Sequence, residues 1–194
     1  MARDRASGPE ARSLRLFVAV TIPEGVRAAL ADSIGPWRER FPRARWVPPA
    51  NVHVTIKFLG STWPRLVGWV HDKVGAAASA HAPFESRLEG LGAFPSLRRA
   101  RVLWAGLHDP GGRMGAIAAS LDEALSREFA PEKRGFTPHL TVARSQPPLE
   151  LPEEFTQTRV SSESFVIDRL VLFRSHLRRP APVYEALREF PLGG

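Results

Sequence analysis

Apolar and polar positions alternate strictly along Val52-His53-Val54-Thr55-Ile56-Lys57-Phe58. A period of two predicts a strand, with Val52, Val54, Ile56 and Phe58 on its buried face and His53, Thr55 and Lys57 on the other. Residues 138–144 read the same way. Residues 14–21 are a short apolar, β-branched run and predict a buried strand. Pro23 suits the first turn of a helix, and Val26, Leu30, Ile34 and Trp37 then recur at the spacing of one helical face. A second helix is expected to open at Ser61-Thr62-Trp63-Pro64, with an apolar stripe of Leu66, Val67, Val70, Val74, Ala77 and Ala78. A third is expected over residues 114–129, where Ile117, Leu121, Leu125 and Phe129 are four apart. Further strands are expected over 43–47, 84–91, 101–107, 165–173 and 183–187, and the proline-rich stretch 146–152 reads as a surface connection. Strands and helices mix without regular βαβ alternation, which predicts an α+β fold. Neither a low-complexity segment nor a linker interrupts the chain, so residues 14–194 read as one domain behind a loose basic tail at 1–13.

The two alternating strands carry a repeat. His53-Val54-Thr55-Ile56 and His139-Leu140-Thr141-Val142 are both His–apolar–Thr–apolar and lie 139 − 53 = 86 residues apart, near half of the 194-residue chain. Residues i and i+2 of a strand share a face, so each imidazole projects together with its threonine hydroxyl. If a pseudo-twofold relates the halves, both pairs face one cleft. Two imidazoles can accept one proton and donate another near neutral pH. Cleavage of a phosphodiester needs both: a deprotonated nucleophile and a protonated leaving oxygen. The threonine hydroxyls can donate to non-bridging phosphoryl oxygens. A lone His-x-Thr is more often structural. Two copies on matching strands are different, because burying both pairs to no purpose would incur the desolvation cost of polar groups twice.

Charge and composition sharpen this picture only in part. The chain carries 27 basic and 20 acidic residues, a net charge of +7, and only Lys57, Lys73 and Lys133 are lysines, leaving 27 − 3 = 24 arginines. Arginine's planar fork matches phosphate oxygens, which favours a polyanionic partner; a genome-wide preference for arginine and alanine codons explains the same numbers. There is no cysteine, so disulfides, thiolate nucleophiles, zinc-thiolate sites and iron–sulfur clusters are excluded. No cluster of carboxylates offers a metal site, and neither a phosphate-binding P-loop nor a Gly-x-Ser-x-Gly elbow is present. No apolar run approaches a membrane span, and the arginines at 3, 5, 12 and 15 are not followed by the apolar stretch of a secretory signal. A cytoplasmic location is therefore expected.

These residues resemble the 2H phosphoesterases, in particular the RNA 2′,3′-cyclic phosphodiesterases first described as 2′–5′ RNA ligases. The resemblance rests on Arg15-Leu16-Phe17-Val18-Ala19 with Pro23, on Trp46-Val47 and the run from Asn51 to Gly60 around His53 and Thr55, and on Arg101-Val102-Leu103-Trp104. It continues through the run from Phe136 to Arg144 around His139 and Thr141, Leu172-Phe173-Arg174-Ser175 and Pro182-Val183-Tyr184. It implies a duplicated, two-lobed LigT-like α+β fold, pseudo-twofold symmetric, with antiparallel sheets lining a central cleft and helices outside. It also implies His53 and His139 as the acid–base pair, Thr55 and Thr141 as phosphate donors, and Arg144 as a phosphate or base contact. The implied reaction is water attack on an RNA 2′,3′-cyclic phosphate, leaving a 2′-phosphomonoester; the residues themselves call for no metal, and no cofactor and a monomer are expected. His139 would act as base toward water and His53 as acid toward the 3′-oxygen, and RNA joining through a 2′–5′ linkage would be the reverse reaction. An RNA-binding module without turnover, and a phosphodiesterase acting on small cyclic nucleotides, remain open alternatives.

Other residues are read more plainly. His71, His81, His108 and His176 lack a threonine partner and are expected at the surface. Lys57, on the His53 face, is expected near substrate or at a solvated strand end. Arg98, Arg99, Arg101, Arg178 and Arg179 are expected to be solvated, with an RNA backbone grip as the other reading. Phe17 and Trp46 are expected to pack in the core rather than stack on a base.

Overall fold

The computed structural model describes residues 13–160 and 162–193, so the predicted tail lies, apart from Ser13, outside the described residues. Strand β1 (Leu14–Thr21), helix α1 (Glu24–Arg40), the short β2 (Arg45–Trp46), strand β3 (His53–Thr62) and helix α2 (Val67–Ser79) make the first part of the chain. Strands β4 (Phe84–Ser86), β5 (Leu88–Phe94) and β6 (Ala100–Leu107), helix α3 (Arg113–Leu125) and strand β7 (His139–Leu149) follow. The chain then forms the short helix α4 (Glu154–Gln157) and strands β8 (Phe165–Ile167), β9 (Arg169–His176) and β10 (Val183–Pro191). One antiparallel sheet runs β10-β9-β1-β3-β7-β6-β5, β2 adds to β7, and β4 pairs with β8 apart from it. The unit β1-α1-β3 is matched across the centre of the sheet by β6-α3-β7, so the expected α+β fold and its internal duplication are both present.

The helices bury the apolar positions that the periodicity picks out. Val26, Leu30, Ile34 and Trp37 of α1, Val70, Val74, Ala77 and Ala78 of α2, and Ile117, Leu121 and Leu125 of α3 share one core with Val54, Ile56, Leu140 and Val142 of the central strands. Burying side chains of this size contributes about 1.5–3 kcal/mol each. That layer holds one face of the sheet rigid and leaves the other free for chemistry.

The expected strands 84–91 and 165–173 are each broken in two, β4 and β8 leaving the main sheet to pair with each other, and α3 ends at Leu125 rather than at 129. Three further expectations are corrected. The second helix does not start at Ser61: β3 continues to Thr62, and a 3-10 turn at Pro64–Leu66 precedes α2. Residues 146–149 are strand rather than connection. Past Arg144, the flank of β7 away from β6 has no strand beside it among the described residues, where β3 pairs with β7 at Val54↔Leu140 and β2 at Arg45↔Arg144 and Trp46↔Ala143. Pro147 and Pro148 are tolerated on such an edge. The third correction concerns the faces of β3. Between Thr55 and Lys57 the register against β1 slips by one residue, from Ala19↔Thr55 to Val18↔Lys57. Such a bulge reverses the alternation beyond it. Lys57 therefore turns to the helical side, 6% exposed, and Phe58 turns to the open face, 59% exposed. Lys57 is bound there by Asp122 of α3, and its Nζ also donates to the Ala130 carbonyl at 2.7 Å.

The same bulge recurs in β7, where Trp104↔Thr141 is followed by Leu103↔Ala143. The burial sequences of β3 and β7 agree over their first seven residues.

Candidate functional site

The two motifs meet where β3 and β7 cross at their first residues. They run antiparallel with Val54 opposite Leu140, which sets His53 beside Thr141 and Thr55 beside His139. Directly opposed side chains on such a ladder lie about 4.5–5.5 Å apart at Cβ, and diagonal ones about 7–8 Å apart. The four polar groups thus form a small square, with the imidazoles on one diagonal and the hydroxyls on the other. Val54 and Leu140 point the opposite way and are fully buried.

A cleft of about 340 Å³ opens over this square and is lined by all five residues singled out in the sequence: His53, Thr55, His139, Thr141 and Arg144. Arg144 stands at an odd offset from His139, so plain alternation would aim it at the core. The bulge at Val142 returns it to the cleft, as its counterpart returns Phe58. Arg15 of β1 also lines the cleft, and among the described residues neither it nor Arg144 pairs with a carboxylate. Among the described residues no acidic side chain lines the cleft.

Both imidazoles are held in the same way. His53 Nδ1 is 2.7 Å from the carbonyl of Asn51, and His139 Nδ1 is 2.8 Å from the carbonyl of Thr137. A carbonyl only accepts, so each Nδ1 carries its proton and each Nε2 is left to accept one. His53 Nε2 takes a hydrogen bond from the Thr55 hydroxyl at 3.0 Å. Aromatic rings fix the planes. His53 lies 4.9 Å from the Phe17 ring centre and 5.2 Å from that of Tyr184; His139 lies 5.2 Å from Phe94 and 6.4 Å from Trp104. Phe17 is buried, but on the cleft face rather than within the shared core expected for it, and His53 rests on it. Burial pushes the proton affinity of His53 below the ordinary histidine value; the Asn51 carbonyl opposes this, and the charges of Arg144 and His139 add to it.

The Trp104 ring lies over Gly92, where a Cβ would come within 2.1 Å of it. A Gly92→Ala variant is expected to displace that ring from beside His139. Overpacking of this kind costs about 1–3 kcal/mol, so thermal unfolding should show a lower Tm, and the His139 imidazole resonances should shift while those of His53 hold.

The remaining histidines do not line the cleft, but neither are they freely exposed. His81 Nε2 bonds Ser120 Oγ at 2.8 Å, His176 Nε2 bonds Glu185 at 2.7 Å, and His108 sits 3.5 Å from Glu89. His71 is half-buried against Phe190, with Nε2 unpartnered among the described residues. Trp46 is half-buried, and its Nε1 donates to the Phe41 carbonyl at 3.1 Å. Sequence reasoning misses Phe58 and Arg15 as cleft residues; only the bulge turns Phe58 outward, and a bulge leaves no mark in a hydrophobicity pattern. No helix among the described residues is long and apolar enough to cross a membrane.

A sheet built from two matched halves, which sets paired His-x-Thr segments against each other across one cleft, defines a 2H phosphoesterase. A model of the 2′-5′ RNA ligase superfamily matches residues 26–179, and the chain belongs to that superfamily. An RNA 2′,3′-cyclic phosphodiesterase of Thermus thermophilus is 34% identical over 93% of this chain and 91% of its own. One of Methanothermobacter thermautotrophicus is 31% identical over 92% and 99%. A third, of Geobacillus stearothermophilus, is 29% identical over 92% of this chain, which spans 57% of that protein's length. Among solved structures, TT0787 of Thermus thermophilus superposes with a TM-score of 0.77 at 33% identity, covering 93% of this chain and 99% of that one. Escherichia coli LigT complexed with 3′-AMP has a TM-score of 0.74 at 24% identity over 93% and 98%, a likeness of fold.

Proposed function

We propose that the chain is an RNA 2′,3′-cyclic phosphodiesterase that opens the cyclic ester to a 2′-phosphomonoester without a metal ion. The observation that carries this reading is the antiparallel crossing at Val54↔Leu140, which gathers two imidazoles and two hydroxyls on one face. The names of the relatives point to the same substrate.

The phosphorus sits over the square. His139 Nε2, which has no hydrogen-bond partner among the described residues, takes a proton from the attacking water. A bond forms from water oxygen to phosphorus and the bond from phosphorus to the 3′-oxygen breaks. His53 Nε2 gives its proton to that oxygen. A buried imidazolium with lowered proton affinity is a strong donor, and the anionic ester supplies the negative charge that lets His53 be protonated when substrate is bound. The Thr55 hydroxyl leaves His53 Nε2 and, with that of Thr141, donates to the non-bridging oxygens. Arg144 and Arg15 face the same charge, and the exposed Phe58 ring offers a nucleobase a stacking surface. Joining of RNA ends would run these proton transfers backward.

The direct test is hydrolysis of an oligonucleotide ending in a 2′,3′-cyclic phosphate in the presence of EDTA, with the product identified as the 2′-phosphate. A 3′-phosphate product, or turnover only after metal is added, would overturn the reading. RNA binding without turnover would favour the binding-module alternative.

The pH profile carries a second prediction. His53 must be protonated to act, and its proton affinity lies below the ordinary 6.5, so kcat/KM should fall as pH rises through a value under 6.5. Arg144 contributes to that lowering. Arg144→Gln should therefore reduce kcat/KM and also move the alkaline limb to higher pH. An unmoved limb would show that this limb does not report His53.

A further inference from the structure

A second pocket, of about 310 Å³, opens on the other side of His53. It shares Asn51, His53 and Tyr184 with the first cleft, so the two are continuous around the imidazole. No acidic residue among the described ones lines either space. Arg27, the fourth residue of α1, supplies the cation of the second pocket. Its Nη1 donates to the Ile22 carbonyl at 2.8 Å, which fixes the guanidinium, and its other N–H groups have no partner among the described residues. Among the described residues no carboxylate pairs with it. The rest of the lining is neutral, including Thr21, Val52, Phe173 and Val183. The geometry is that of a trough free of negative charge, with Arg144 and Arg15 at one end, Arg27 at the other and the proton-transfer groups between.

We infer that the Arg27 pocket is a subsite for the backbone phosphate on the 5′ side of the terminal nucleoside, and that the chain is built for RNA ends rather than free cyclic mononucleotides. The inference rests on the phosphodiesterase reading above. A held guanidinium binds a phosphate without losing much side-chain freedom, and its fork accepts two oxygens at once. The terminal nucleobase lies on the Phe58 side of the phosphorus, and the 5′-carbon, at the other end of the ribose, directs the chain past Asn51 and Tyr184. Apolar Val52 and Val183 flank the path where ribose carbons pass.

The test compares three substrates that share one reacting centre: a nucleoside 2′,3′-cyclic phosphate, the same compound with a 5′-phosphate, and a dinucleotide with the cyclic phosphate at its 3′ end. The native protein should show higher kcat/KM for the two that carry the extra phosphate. In Arg27→Met, which keeps most of the aliphatic stem, the ratio of kcat/KM for the dinucleotide to that for the bare nucleoside should fall about tenfold. The salt dependence of the dinucleotide reaction should weaken by about one phosphate contact. The ratio cancels any change in folded fraction or in His53, since every substrate uses the same imidazole. Arg27→Lys should restore part of the ratio. A native protein that gains nothing from the extra phosphate, or an Arg27→Met variant that loses equally on all three substrates, overturns the subsite and leaves the phosphodiesterase reading standing. A gain by the dinucleotide but not by the 5′-phosphorylated nucleoside overturns it too, because recognition would then lie in the upstream nucleoside. Absence of turnover on every substrate would instead bring down the phosphodiesterase reading.

Discussion

Alanine in place of His139 is expected to lower kcat by about 10²–10⁴-fold on a 2′,3′-cyclic phosphate, the range for loss of a positioned general base, with circular dichroism and Tm close to those of the native chain. Alanine at His53 should cost a similar factor on that substrate. The two variants separate on an activated aryl phosphodiester, whose leaving group departs without a proton. His53→Ala should recover much of its activity there, because the acid is no longer needed. His139→Ala should not, because water must still be deprotonated. Recovery in the opposite variant would exchange the two roles. Both rings lie on aromatic neighbours rather than in packed aliphatic core, so their truncation leaves the shared hydrophobic core intact.

The largest effect on stability is expected at Asp122, far from the cleft chemistry. Its carboxylate meets Lys57 on the helical side of β3, and the Lys57 side chain is only 5% exposed. Asp122→Ala leaves that ammonium buried without its partner, which costs about 3–5 kcal/mol. For a chain of this length that is a drop in Tm of roughly 10 °C. Asp122 also accepts the Glu132 amide at 3.0 Å, so the loop before β7 should loosen in the same variant. Turnover per folded molecule should hold. The double variant Lys57→Met/Asp122→Leu, with neither charge to bury, should regain most of the loss. A Lys57→Met variant that loses turnover but keeps its Tm would return Lys57 to the cleft face.

That lysine also marks where the sequence stops being readable. The 86-residue repeat of His-x-Thr identifies the four central side chains, because period two assigns their face without further information. The helices are equally legible: the stripes at Val26-Leu30-Ile34-Trp37 and Ile117-Leu121-Leu125 are the ones buried. Alternation assigns Lys57 and Phe58 to the wrong faces because the extra residue at position 56 is invisible to a hydrophobicity pattern; it exists only as a register against β1. Arg144 comes from family likeness alone, since alternation would turn it inward, and the equivalent slip at position 142 explains why it faces the cleft. Residues 146–149 escape detection for a related reason. Two prolines signal a connection unless one knows that the flank they face has no partner strand. Arg27 and Asn51 lie outside any alternating segment, and only the turn from β1 into α1 brings Arg27 beside the imidazole.

The two halves are joined, along their central strands, by one bridged position, Val54 against Leu140. Among the described residues no second position is bridged between them, and the two-residue β2 adjoins β7 further along that flank. The spacing of the two His-x-Thr pairs is therefore set by this one bridge together with the helical core that packs beneath both strands. A change of side-chain volume at Val54 or Leu140 is thus transmitted to both imidazoles at once, since each histidine stands one residue from that bridge.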